Sequence, residues 1–312
     1  MKAATFKKTR IAPTPSGYLH LGNILSFALT AALARKTGAK ILLRIDDLDQ
    51  DRVNKEYVQD IFDTLQFLAI PWDEGPRDFA EYEKEYSQLH RIDMYQQALE
   101  QLKENGHVFA CTCSRTKILQ DHPDGSYPGA CRQKGLPLDA GNTSWRLHTS
   151  HQRELAVVLL TGTRSADRSD VPDKNSGTSA TTIVKTILPE TIQDFVVRKK
   201  DRFPAYQLTS LLDDLYYGVD LVVRGEDLWS STLAQHYLSL SLKQHHFQDI
   251  TFYHHPLLTS FEGRKLSKSA GDTSIQYLRQ QGWTPASIYS HIARIQGKDS
   301  TVTNWEELAA AI

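Results

Sequence analysis

The chain has 312 residues, with 36 Lys and Arg against 37 Asp and Glu, and a formal net charge of −1. That length accommodates one large domain or two modest ones with an ample core. A near-neutral balance excludes a protein that coats nucleic acid non-specifically, while leaving room for a local basic face that meets RNA.

Residues 7–12 read as a first strand, broken by Pro13 and Pro15. From Asn23 to Thr37 apolar residues recur at helical spacing (Ile24, Leu25, Ala28, Leu29, Ala32, Leu33), and Gly38 closes the helix. Ala39 to Ile45 is a buried-strand pattern, so residues 7–45 form a strand–helix–strand unit. Gly17 and Gly22 punctuate the approach to its helix, whose N-terminus offers unpaired N–H groups and a positive dipole end to an anion. Further helices are predicted over 52–67 and 84–105, the second closed by Asn105-Gly106.

Residues 107–190 change character, with cysteine, glycine, proline and short β-branched runs in place of helical periodicity. Arg164 to Thr182 is rich in Ser, Thr, Asp and Gly and reads as a mobile surface excursion. Sheet-forming runs resume at Ile192–Arg198 and Leu221–Arg224, followed by a helix near 228–243. The expected architecture is α/β, a Rossmann-like, doubly wound parallel sheet with an inserted subdomain. Its predicted parts are the first half of the sheet domain (1–106), the inserted subdomain (107–190), the second half of the sheet domain (191–258), and a loop with a helical tail (259–312). Ligands of such sheets bind beyond the C-terminal strand ends, where Arg10, Asp46 and Arg224 fall.

All three cysteines lie between Cys111 and Cys131. An odd number so tightly grouped is no disulfide framework, which fits a reducing compartment. Met1 to Lys8 is polar with no apolar segment behind it, and no run approaches the ~20 apolar residues that cross a bilayer. A cytoplasmic location without membrane contact is expected. Two basic clusters, Lys7, Lys8 and Arg10, and Arg198, Lys199, Lys200 and Arg202, are either solvated faces or RNA contacts.

Two segments near opposite ends, Arg10-Ile-Ala-Pro-Thr-Pro-Ser-Gly17-Tyr-Leu-His20-Leu-Gly22-Asn23 and Lys265-Leu-Ser-Lys268-Ser269, resemble the HIGH and KMSKS segments of class I aminoacyl-tRNA synthetases. Between them, Arg44-Ile45-Asp46-Asp47, Phe203–Leu208 with Asp213-Asp214, and Val223–Leu228 resemble the pocket motifs of that family's glutamate branch. The resemblance implies activation of L-glutamate by ATP with Mg²⁺, and catalytic roles for His20, Lys265 and Lys268. It places ATP on Pro13, Gly17, His20, Gly22, Asn23 and Lys268. It places glutamate on Arg10, Ile11, Ala12, Pro13, Thr14, Asp46, Tyr206 and Arg224. A bidentate guanidinium suits the side-chain carboxylate, so Arg10 and Arg224 are its candidates. Asp46 would meet the α-ammonium group and Tyr206 would hydrogen-bond the substrate. Asp46 stands where the family usually has the longer glutamate, so that contact is lengthened or water-bridged.

The spacing Cys111-Thr-Cys113 … Tyr127-x₃-Cys131 resembles the zinc site of the branch's short, queuosine-directed members. It implies a structural Zn²⁺ on Cys111, Cys113 and Cys131, with Tyr127 as fourth ligand and His122 as its conventional competitor. Asp213-Asp214 resembles a Mg²⁺ pair, but its place after the pocket strand makes it mainly structural or hydrogen-bonding. His245-His246 and His254-His255 read as surface or packing residues, and Trp72 and Trp229 as core or rim aromatics. The 43 residues after Ser269 are fewer than the anticodon-binding domain of an ordinary glutamyl-tRNA synthetase occupies. The resemblance therefore implies a monomeric ligase that transfers glutamate to queuosine in the anticodon of tRNA(Asp). The alternatives are a truncated glutamyl-tRNA synthetase charging the 3′ end of tRNA(Glu), or a catalytically idle RNA- or zinc-binding paralogue.

Overall fold

Two short parallel strands with a buried helix between them begin the chain. In the computed structural model, which describes residues 4–161, 180–258, 274–298 and 301–312, β1 (Lys8–Ile11) pairs with β2 (Lys40–Leu43) so that Arg10 faces Leu42. Helix α1 (Leu21–Thr37) links them, starting two residues before its apolar repeat suggests. The cause is a reciprocal cap: His20 Nδ1 accepts the Gly22 N–H at 3.1 Å, and Asn23 Oδ1 accepts the His20 N–H at 3.0 Å. Gly38 ends the helix in the left-handed region, φ 77°.

A 3₁₀ turn at Gln50–Arg52 leads into α2 (Lys55–Phe67), capped by Asn54. The helix predicted over 84–105 is interrupted. Helix α3 (Phe79–Glu81) runs into a π turn at Tyr82–Tyr86 and a 3₁₀ turn at Gln88–Arg91 before α4 (Ile92–Glu104). Asp47 is the reason: its carboxylate accepts the Gln88 N–H at 2.8 Å and the hydroxyls of Tyr82 and Ser87, drawing that stretch out of helical register.

The chain continues through β3 (Val108–Cys111), α5 (Arg115–Asp121), β4 (Ser144–Leu147), β5 (Glu154–Thr161), β6 (Ala180–Ile187) and β7 (Val196–Arg198). Of the predicted 164–182 excursion, residues 164–179 lie outside the described residues, and Ala180–Thr182 open β6. Then come α6 (Tyr206–Tyr216), β8 (Leu221–Gly225), α7 (Trp229–Ser241), β9 (Thr251–His255), α8 (Ile275–Gln280), α9 (Pro285–Ile295) and α10 (Trp305–Ala311). Strands β3, β4 and β7 make an antiparallel sheet. In the second sheet β5, β9 and β8 run parallel, with β6 antiparallel at one edge. Strand β5 lies within 107–190 yet joins this parallel sheet, whereas β7 lies beyond it and pairs with β4.

Strand β1 lies alongside β8. The Asp220 N–H donates to the Lys8 carbonyl at 3.0 Å, and the Asp220 carboxylate takes the N–H groups of Lys7 and Lys8. The parallel row β2-β1-β8-β9-β5 thereby crosses the molecule, the α/β layering the apolar pattern predicts. One core gathers α1, α2, α9 and α10 against β1 and β2; a second gathers α4, α6 and α7 against β8 and β9. A small third core holds Phe109, Cys111, Ile118, Tyr127 and Cys131. No described helix is long and apolar enough to cross a membrane.

Candidate active site

The ends of β1, β2 and β8 and the N-terminal half of α6 meet in a charged cluster. Helical spacing puts Tyr206, Ser210, Asp213 and Asp214 on one face of α6. Asp214 accepts Arg44 Nη1 at 2.7 Å and Arg10 Nε at 3.2 Å. Asp213 accepts Arg91 Nε at 2.8 Å, Gln88 Nε2 at 2.8 Å and the Tyr95 hydroxyl at 2.6 Å. Asp46 accepts one edge of Arg44, Nε at 2.7 Å and Nη2 at 3.1 Å. Burial pushes Asp46 above the ordinary carboxylate range against the pull of Arg44, whereas at Asp213 the pull of Arg44 and Arg91 outweighs burial and holds it below. Asp213-Asp214 thus takes the hydrogen-bonding role expected of it, organising three arginines.

Arg10, Arg44 and Arg91 against Asp46, Asp213 and Asp214 leave no surplus charge. Arg224, at the end of β8 and 4% exposed, is different. Its Nη2 donates to two neutral oxygens, Thr232 Oγ1 and Gln235 Oε1, the latter at 3.1 Å. Its Nε and Nη1 are buried with no hydrogen-bond partner among the described residues. Burial draws the guanidinium down to about 10, and Arg10 adds to the effect while Tyr206 and Asp214 oppose it. A buried cation with donors to spare is costly unless an anion completes it, and a carboxylate suits its geometry. Tyr206 lies beside it, 41% exposed at the mouth of the cluster.

The first motif borders this cluster. The Pro13 carbonyl accepts the Asp46 N–H at 2.9 Å, tying the loop after β1 to the end of β2. Ile11 and Pro13 are buried, Ala12 is partly covered and Thr14 is exposed. A side chain at Gly17 would meet nothing within 4 Å, so the loop leaves open space there. Gly22 makes room for the cap: a Cβ would stand 3.0 Å from the His20 ring, which folds over it to cap α1. The Asn23 N–H goes to the His20 carbonyl at 2.9 Å, so His20 and Asn23 organise the helix start. Lys265 and Lys268 lie outside the described residues. Where the description resumes, Ser274 bridges to His20 and the Ile275 N–H donates to the Leu19 carbonyl at 2.7 Å.

The cysteines form a separate centre. Cys111, Cys113 and Cys131 bring their sulfurs within 4.8 Å of one another, and Cys113 Sγ lies 3.7 Å from Cys131 Sγ. Tetrahedral zinc holds thiolates at about 2.3 Å, which separates two sulfurs by about 3.8 Å, so the donor set fits that ion. The Tyr127 oxygen lies 3.4 Å from Cys111 Sγ and accepts the Cys131 N–H at 2.8 Å. Arg146 stacks 3.7 Å over the Tyr127 ring, while burial and then the hydrogen bond with Cys111 push the phenol above its ordinary value, so the hydroxyl holds its proton unless a metal displaces it. Burial opposes ionisation of Cys131, but the Thr112 backbone, Cys113 and Tyr127 outweigh it and pull the thiol down to about 6. The three-sulfur group does not include His122, which follows α5. Lys200 Nζ donates to the Thr112 carbonyl at 2.8 Å and Lys199 Nζ reaches Asp49 Oδ1 at 2.8 Å, so two members of the second basic cluster span from the cysteine loop to the start of the Gln50–Arg52 turn.

Arg44, Gln88, Arg91, Tyr95, Thr232, Gln235 and His254 escape sequence reasoning as parts of the site. Three had a readable signal. Arg44 and Asp46 alternate along an extended segment, and Thr232 and Gln235 share a helix face at i, i+3. His254, expected to be a surface or packing residue, does pack against Trp229 and Phe252, and it also hydrogen-bonds Thr232 and sits opposite Arg224 in the β8–β9 register.

A parallel sheet with a charged pocket at its strand ends and a helix start beside it defines the class of protein. The family of class I tRNA synthetases (E and Q), catalytic domain, matches residues 7–308, and the chain belongs to it. It is 29% identical, over 99% of its length, to a glutamate–tRNA ligase 2 of Syntrophus aciditrophicus, and spans 62% of that protein. It is 32% identical, over 90% of its length, to a glutamyl-Q tRNA(Asp) synthetase of Rhodobacter capsulatus, and spans 97% of it. A solved glutamate tRNA ligase of Elizabethkingia meningosepticum shares the fold, with a TM-score of 0.66 at 20% identity over 98% of this chain and 64% of that one.

Proposed function

We propose that the chain is a ligase that activates L-glutamate with ATP and passes it to queuosine in the anticodon of tRNA(Asp). Arg224 is the observation that carries the first half. In a cluster whose other charges cancel, one buried guanidinium keeps Nε and Nη1 without partners among the described residues. A glutamate side chain supplies the missing carboxylate; glutamine brings no charge and turns an NH₂ group toward donors. Arg10 backs this receptor, Tyr206 hydrogen-bonds the substrate, and Asp46, anchored by Arg44, faces the α-ammonium group.

ATP would lie over Pro13, Gly17 and the His20–Gly22–Asn23 helix start, with Lys265 and Lys268 bringing positive charge to its phosphates and Mg²⁺ screening them. Adenylate formation needs alignment of the glutamate α-carboxylate with the α-phosphate and stabilisation of charge on phosphoryl oxygens, which is positioning and electrostatics. Zn²⁺, on Cys111, Cys113, Cys131 and Tyr127, would supply a structural clamp for the small core beside β3.

Two observations support queuosine as acceptor over the tRNA(Glu) 3′ end. The chain matches relatives named glutamyl-Q tRNA(Asp) synthetase at 32% identity over at least 90% of its own length. The cysteine–tyrosine centre has the spacing of the queuosine-directed members. The cyclopentene-diol of queuosine also mimics the ribose diol that class I synthetases esterify, so one site chemistry serves either acceptor. The first test is exchange of labelled pyrophosphate into ATP. Exchange that requires glutamate and Mg²⁺ supports the reading, and its absence overturns it.

A further inference from the structure

Arg224 is held by a hydroxyl and an amide, and the hydroxyl is itself held by a histidine. Strands β8 and β9 pair with Arg224 opposite His254, and Thr232 and Gln235 come from the first turns of α7. Thr232 Oγ1 lies 2.9 Å from His254 Nε2, and His254 Nδ1 lies 3.2 Å from the Gly225 carbonyl. A carbonyl has no proton to give, so Nδ1 carries the ring proton and Nε2 is an acceptor. A charged ring is disfavoured, because burial and then the charge of Arg224 draw His254 down to about 3. The Thr232 hydroxyl therefore donates to Nε2 rather than to the Leu228 carbonyl at 3.3 Å, leaving its lone pairs for Arg224 Nη2. Trp229 fixes the histidine ring edge-on at 5.2 Å.

We infer that His254, Thr232 and Gln235 are positioning residues for glutamate recognition: the one-way chain Gly225–His254–Thr232–Arg224 seats the guanidinium through Nη2 and leaves Nε and Nη1 for the substrate. Every acceptor in this seat is neutral. A carboxylate at either position would neutralise Arg224 before the substrate arrived. The seat thus keeps the full charge of the receptor in reserve. The inference rests on the reading of Arg224 as the carboxylate receptor.

The test measures pyrophosphate exchange with glutamate and ATP varied separately. Thr232→Val should raise the glutamate KM ~10-fold, with kcat and the ATP KM nearly unchanged, as for loss of one hydrogen bond to a charged group. Thr232→Ser should restore the parent value. Gln235→Glu, which changes shape little, should raise the glutamate KM by two orders of magnitude or more, because its carboxylate competes with the substrate. A purely structural role would leave the glutamate KM of folded Gln235→Glu protein unaltered, and that result overturns the inference even where Thr232→Val fails to fold. A parent chain without glutamate-dependent exchange would instead overturn the underlying reading, and this inference with it.

Discussion

Arg44 Nη1 lies 2.7 Å from Asp214 Oδ1, although 170 positions separate the two residues along the chain. The contact ties the end of β2 to α6, and Asp214 also receives Arg10 from β1. Three elements from distant parts of the sequence are thus locked by one buried carboxylate. Removing one member of such a network strands its partners without a counter-charge. Asp214→Asn is expected to destabilise the fold by about 3–5 kcal/mol. Urea unfolding measures it, and an unchanged midpoint would contradict the role given to Asp214.

Arg224→Leu removes the buried guanidinium of the cluster that has no carboxylate hydrogen-bonded to it among the described residues. Its glutamate kcat/KM should fall on the order of 100-fold or more, as when one partner of a buried, hydrogen-bonded charge pair is lost. The preference for glutamate over glutamine should vanish with it. Exchange assays with both amino acids decide the matter, and retained selectivity would assign recognition elsewhere.

Cys113→Ser takes one sulfur from a trio already spaced for a tetrahedral ion. The parent chain should carry one zinc per molecule by elemental analysis, and the variant should lose most of it. The antiparallel β3–β4 sheet should then exchange its amide hydrogens faster. Full zinc content in the variant would remove Cys113 from the ligand set.

His236 gives a pH dependence of known sign. Burial holds it neutral inside α7, down to about 4 from an ordinary 6.5. As pH falls from 6.5 toward 4, the unfolded chain takes up a proton that the folded chain refuses, so stability falls. The slope from this one group approaches ~1.4 kcal/mol per pH unit and disappears below the folded value. His236→Gln should flatten the unfolding free energy between pH 6 and 4 relative to the parent, and parallel curves would contradict the assignment.

The strand–helix–strand start was legible because its signals are local: apolar spacing from Ile24 to Leu33, and Gly38 where the helix must stop. Asp46 and Arg224 were placed at strand ends for the same reason, since each follows a short apolar run, and Arg10 because Pro13 and Pro15 break its strand just beyond it. The break in the 84–105 helix was not legible, because it depends on Asp47 capturing the Gln88 N–H from another loop. His254 looked like packing in a doubled histidine. Its position depends on the register of β9 against β8, which no local pattern encodes. Of the partners of Arg44, Asp46 was within reach, two residues on, but Asp214 was hidden because it comes from a distant helix.

Transfer of labelled glutamate is the most direct measurement of the whole account. Purified protein, ATP and magnesium are offered total tRNA from cells that make queuosine and from cells that cannot. The account predicts label only in the queuosine-containing tRNA, recovered in the anticodon fragment after nuclease digestion. Equal labelling of both samples, recovered at the 3′ end, would contradict it.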